Sequence, residues 1–360
     1  MAAYSGNFTN GRRPQATSSR NIAFLSIFAV LAGGYLAFRA QSPSKNEPLV
    51  SKKEVEAIIL SLYFSIPHIH TFEGINPDSK DSITFHHTPD VSINACISHP
   101  AIVQHKPLLV FLHYWGGSSS TWYKLTSPDS PTSLCSAYPI LAIDHRGWGK
   151  STGPSQDNNT AYSISSMAND VALVLQQLAS DQERKAILKH GFILIGYSMG
   201  AKVAMAILTT LPRDLLNCLR GLVLVAPAHP TPLLLPPEMQ EQQKAAYETA
   251  ESVRWDIEMV VRDSLQGSQL AKSVWPTYGT AEDVSDGLKR ALEPMDKERL
   301  RGSILVGESD VVEPKDRVDK EVRRFFERSG IQVSMRTVPG VKHLLPLECP
   351  EVLRREISKF

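Results

Sequence analysis

The chain has 360 residues, a formal net charge of +1, 42% hydrophobic and 21% charged residues. That length allows one large domain or two ordinary ones, and the apolar fraction is ample for a core, so wholesale disorder is excluded. Near-zero net charge argues against nucleic acid as a partner, which would demand a basic face, and four scattered cysteines without a CxxC pair exclude a disulfide scaffold and a thiolate zinc site.

The N-terminus is a different material. No acidic residue precedes Glu47, while Arg12, Arg13, Arg20, Arg39 and Lys45 lie among many small polar residues. Inside that stretch, residues 22–38 (IAFLSIFAVLAGGYLAF) carry no charge. As a helix this run spans about 25 Å, the short end of a membrane crossing, and it reads first as a single-pass anchor. The alternatives are a cleaved signal peptide with its small-residue site at 32–34, an organelle transit segment, or a buried helix. Cleavage would leave the protein secreted or lumenal. Basic residues flank both ends, so orientation is not readable. Sequons at Asn7 and Asn158 matter only on a lumenal side.

Beyond a linker at 41–48 and a helical pattern at 52–65, two strand-like runs occur at 82–87 and 91–98. The grammar then changes to short apolar runs at 107–113 (PLLVFLH), 139–143 (PILAI), 191–195 (GFILI), 219–225 (LRGLVLV), 303–306 (SILV) and 331–338 (IQVSMRTV). Near-continuous apolar character is what parallel strands buried on both faces require. Between them Ile164, Met167, Val171, Val174, Leu175 and Leu178 repeat with helical period, as do Met199, Val203, Ala206 and Ile207, and later Val318, Val322, Phe325 and Phe326. Alternating strand and helix predicts an α/β sheet with right-handed crossovers. Residues 227 to about 297 contain no good strand. An insertion that long should be a helical sub-domain.

Gly196-Tyr197-Ser198-Met199-Gly200 follows the run GFILI and opens a helix. A GxSxG turn of this kind holds its serine in a strained conformation above the sheet, with a helix N-terminus beneath it. A serine hydroxyl needs a base, and the base needs an orienting acid, in the chain order Ser, acid, His. After SILV comes Gly-Glu308-Ser-Asp310-Val-Val-Glu313, and after the last strand comes Gly340-Val-Lys-His343. Ser198, Asp310 and His343 are therefore the expected catalytic residues. Glu308 and Glu313 are the rival acids, read as surface residues. The oxyanion hole should use the backbone N–H groups of Met199 and of Trp115 in the run 113–117 (HYWGG).

Five elements in this order resemble the α/β-hydrolase fold, in its group of serine hydrolases with a helical cap. They are HYWGG, the run from Asp144 through Arg146 to Ser151, GYSMG, GESD and the terminal GxxH. The resemblance runs from about Ser82 to Phe360. It implies a Ser198–Asp310–His343 triad, structural duty for Asp144 and Arg146, and a lid formed by the insert. Tyr114 departs from the pattern, standing where the family usually has Gly.

The resulting map has a tail (1–21), a transmembrane anchor (22–38), a linker with an N-terminal helix (39–80), a first core part (81–226), a helical cap (227–300) and a second core part (301–360). The expected activity is cleavage of an ester, lactone or thioester of a mainly apolar small molecule through an acyl-enzyme, without metal or cofactor. The expected substrate contacts are Tyr114, Trp148, Tyr197 and Trp255, with Met259, Trp275 and Tyr278 as further cap candidates. The alternatives are a triad-bearing lyase or carbon–carbon-bond hydrolase, and a non-catalytic ligand-binding protein on the same fold.

Overall fold

The computed structural model describes residues 82–99, 105–156, 158, 160–249 and 258–360. The segment 22–38, the helical pattern at 52–65, Asn7 and Trp255 lie outside the described residues. Among the described residues no helix is long and apolar enough to cross a membrane.

Eight strands form one sheet: β1 (Ser82–Thr88), β2 (Val91–Ser98), β3 (Leu108–Leu112), β4 (Ile140–Ile143), β5 (Phe192–Tyr197), β6 (Leu219–Val225), β7 (Arg301–Gly307) and β8 (Gln332–Val338). Their order is β1-β2-β4-β3-β5-β6-β7-β8. β2 runs antiparallel to both neighbours, and β4, β3, β5, β6, β7 and β8 run parallel. The central strands are apolar throughout because both faces are covered. Leu108, Val110, Leu112, Phe192 and Leu194 join one buried layer, while Leu109, Phe111, Ile193 and Ile195 join the other. β8 departs from that expectation. It is an edge strand whose Val333 and Met335 pack inward while Gln332, Ser334 and Arg336 are exposed.

The first layer is covered by α1 (Ile164–Ser180) and α2 (Met199–Ile207). Ser163 caps α1 by accepting from the Ser166 N–H at 3.0 Å. Between β6 and β7 the described residues form α3 (Pro237–Ala245), α4 (Glu258–Gln266), α5 (Gln269–Val274), a π turn at Trp275–Gly279, and α6 (Ser285–Leu292), with no strand. Leu288 and Leu292 bury α6 in the same layer as α2, which it touches. A helical run α7 (315–328) and a final helix α8 (Pro350–Ile357) complete the layers. No disulfide joins any of the four cysteines.

Candidate active site

Ser198 sits between β5 and α2 with φ 52° and ψ −115°, a conformation that costs a non-glycine residue about 1–3 kcal/mol. The surrounding backbone enforces it. Ser198 N–H donates to Val225 O at 2.9 Å, and Ser198 O accepts from Ala201 N at 3.0 Å and Ala228 N at 3.2 Å. Gly200 is required by close approach: a Cβ there would lie 2.3 Å from Leu112 O. Met199 opens α2, so its N–H belongs to the helix-end donors that have no intrahelical acceptor.

His343 follows β8, and Asp310 follows β7. The two side chains meet at 2.8 Å between Nδ1 and Oδ2. The other Asp310 oxygen accepts from the N–H groups of Val312 at 2.8 Å and Glu313 at 3.0 Å. A carboxylate only accepts, so Nδ1 of His343 carries the proton and Nε2 is the free base. The two loops lie against each other because residue 307 is glycine: a Cβ there would come within 2.2 Å of Lys342 O. Burial pulls the His343 imidazole down, but the charge and hydrogen bond of Asp310 outweigh it and hold the pKa above the ordinary value.

The run 113–117 lies beside the elbow. His113 is buried, with Nδ1 at 2.7 Å from Tyr114 O and Nε2 accepting from His145 N–H at 2.9 Å. It ties this loop to the turn that begins at Asp144. The Asp144 carboxylate accepts from Ser119 N, Asn94 Nδ2 and Lys150 N, and Arg146 forks onto Asp170 through Nε and Nη2 at 2.6 Å each. Trp115 is clamped from the insert. Its Nε1 donates to Lys272 O at 3.1 Å, and its carbonyl accepts from Tyr247 Oη at 2.9 Å.

One cavity of about 310 Å³ is bounded by Ser198, His343, Tyr114 and Trp115. Its apolar wall comes from residues 233–236, Met239, Tyr247 and Trp275. Trp148 and Tyr197 do not reach it, against expectation. Trp148 is wholly buried, stacked edge-on against His113 and Tyr247. Tyr197 points into the opposite core layer, where its hydroxyl donates to His343 O at 2.8 Å. Met259 and Tyr278 also lie off the cavity, the latter accepting from Tyr162 N–H.

Glu308 is exposed and accepts from Gly340 N at 3.0 Å. Glu313, expected at the surface, is buried in the cavity wall beside Arg317 at 3.1 Å. Burial pushes its carboxyl up to about 7, against the opposing pull of Arg317. Sequence reasoning misses Glu313, Arg317, Thr280 and Gln243 as cavity residues. The one available signal is the leucine run 233–235 between prolines, which is too apolar for a free loop. Among the described residues, no three His, Cys, Asp or Glu side chains converge as a metal site.

Residues 109–356 match the alpha/beta hydrolase family, more than half of the chain, and the protein belongs to that family. It is a hydrolase. Solved structures repeat the fold. A membrane phospholipase A described as a bacterial virulence factor superposes with a TM-score of 0.57 at 16% identity, covering 94% of this chain and 97% of its own. A putative lipase from Acinetobacter baumannii gives 0.57 at 14%, covering 78% and 90%, and a carboxylesterase from Bacillus subtilis gives 0.53 at 19%, covering 78% and 91%. No curated protein matches the chain.

Proposed function

We propose that the protein is a serine hydrolase that cleaves an ester, lactone or thioester of a mainly apolar small molecule through an acyl-enzyme on Ser198. The observation that carries this reading is the convergence on one cavity of a serine held at φ 52° and a histidine bonded to a buried aspartate at 2.8 Å.

The chemistry follows from those positions. Nε2 of His343 takes the Ser198 proton as Oγ attacks the carbonyl carbon. The oxyanion is met by the N–H groups of Met199 and Trp115, the first at a helix N-terminus that favours negative charge. The imidazolium, held by Asp310, protonates the leaving group. Water then enters, its oxygen attacks the acyl carbon as His343 takes its proton, and the imidazolium returns that proton to Ser198 Oγ as the ester bond to the serine breaks and the acid leaves. The apolar wall of residues 233–236, Met239 and Trp275 suits an apolar acyl or alcohol chain. We also propose that the uncharged segment 22–38 is a single-pass anchor that holds this activity at a membrane.

A panel of 4-nitrophenyl esters, lactones and acyl-thioesters of graded chain length tests the reading. Turnover should rise with chain length and vanish in Ser198→Ala. Equal turnover by that variant would refute it.

A further inference from the structure

The cavity described above is not purely apolar. Arg317 Nε, Thr280 Oγ1 and Gln243 Oε1 belong to residues of its wall, are buried, and have no hydrogen-bond partner among the described residues. Buried polar atoms are nearly always paired, so these orphans point to a polar ligand group, and two of them, Arg317 Nε and the Thr280 hydroxyl, can donate to an anion while Gln243 Oε1 only accepts.

Arg317 is the informative one. Its Nη2 donates to Val312 O and, at 3.1 Å, to Glu313 Oε2, while Nε is left over. The same chain shows what a complete fork looks like, in Arg146 on Asp170 through both Nε and Nη2. A guanidinium edge matches a carboxylate with two parallel bonds. Arg317 uses only half of that edge on Glu313. Glu313 is also a weak counter-charge, because burial pushes its carboxyl up to about 7 although Arg317 and His343 pull it down, while Asp310 pushes it further up. Lys202, buried under the elbow in α2, donates to Thr280 O at 3.0 Å; burial lowers its pKa to about 8 against the opposing charges of Glu282, Glu313 and Asp283. Nearby His229 is pushed down to about 4 by burial, then by Arg317 and Lys202, and stays neutral. Among the described residues that line the cavity, Arg317 is the one lysine or arginine and Glu313 the one carboxylate.

We propose that Arg317 is an anion-recognition residue, and that the substrate is an amphiphilic ester bearing a carboxylate a few atoms from the scissile carbonyl. Rotation of the one-third-exposed Arg317 side chain and of Thr280 brings the buried Nε and hydroxyl to the cavity surface, where both donate to the carboxylate, and the apolar remainder lies along residues 233–236. This rests on Ser198 being the nucleophile of a serine hydrolase.

The test uses the full chain with 4-nitrophenyl hemiglutarate and hemiadipate against neutral 4-nitrophenyl pentanoate, alongside fluorophosphonate labelling. The wild type should favour a hemi-ester in kcat/KM, mainly through KM. In Arg317→Met the ratio of hemi-ester to pentanoate should fall by roughly thirty-fold, the scale of one charge-assisted hydrogen bond. Arg317→Lys should restore part of it. Should Arg317→Met not fold, Thr280→Val reports on the same ratio with a fall of several-fold. A wild type that labels at Ser198 yet shows no preference for either hemi-ester overturns the proposal and leaves the hydrolase reading intact. A wild type that takes no label overturns both.

Discussion

At the scale of single residues, the acid is the position with a real rival. Asp310 holds His343, while Glu313 lies buried three residues on and also acts on the imidazole. Asp310→Asn should cut turnover by about 10⁴, because the imidazole loses the partner that fixes its tautomer and stabilises its cation. The pH profile adds a sign. Activity requires neutral His343, whose pKa is held above 6.5 mainly by Asp310 against burial, so the acidic limb should lie above pH 6.5 in the wild type. Removing the aspartate charge lowers that pKa, and the limb in Asp310→Asn should move to lower pH. Initial rates between pH 5 and 9 check this, and a limb that stays put or moves up would assign the acid elsewhere. Ser198, Asp310 and His343 are legible because each falls just past a strand end, where open α/β sheets place ligands. Tyr197 and Trp148 are misread for a local reason. Residues adjacent along a strand face opposite layers, so the tyrosine before the serine points away from the cavity.

At the scale of elements, the strands are legible wherever both faces are buried, because their residues are almost all apolar, with Arg220 in β6 and Ser303 in β7 as the polar interruptions. β8 is the exception, since an edge strand needs only Val333 and Met335 to face inward. The contacts that fasten the insert to the sheet are not legible. They join residues more than a hundred positions apart, and no local pattern marks them. Glu282 is one: its carboxylate accepts from Ile164 N at 2.6 Å and Ser165 N at 2.9 Å, capping the start of α1. An acid at a helix N-terminus with two such bonds contributes about 1 kcal/mol. Glu282→Ala should therefore lower Tm by roughly 2–4 °C, read by thermal denaturation. An unchanged Tm would show that this cap does not hold the insert.

At the scale of the molecule, the cavity is assembled from several distant segments. The serine comes from the elbow, the acid and base from two late loops, the apolar wall from residues 233–239, and the polar end from 280 and 313–317. Each segment is readable as strand, helix or loop, yet their convergence is a property of the folded chain alone. That is why the cavity-wall residues Thr280, Glu313 and Arg317 escape sequence reading while the nucleophile does not. Leu234, 79% exposed, and Val311 are the exposed large apolar residues among those described, and both border this cavity. An anchored chain would present such a mouth to apolar substrates at a membrane. Deleting residues 1–45 should leave a soluble enzyme with its ester turnover intact, since every catalytic element lies at or beyond His113. If the 17-residue uncharged run 22–38 is the proposed anchor, the full chain should resist carbonate extraction and yield to detergent, because such a run would be held by burial and not by charge. Fractionation of the two forms decides it, and a full chain released by carbonate would contradict the anchor.

The central claim is that Ser198 is an activated nucleophile. Peptide mapping of the full chain after reaction with a fluorophosphonate tests it most directly. A single phosphonylated peptide should carry Ser198 and be absent in Ser198→Ala, with that variant folded and its turnover lower by about 10⁶. Label on another residue, or none on a folded wild-type chain, would contradict it.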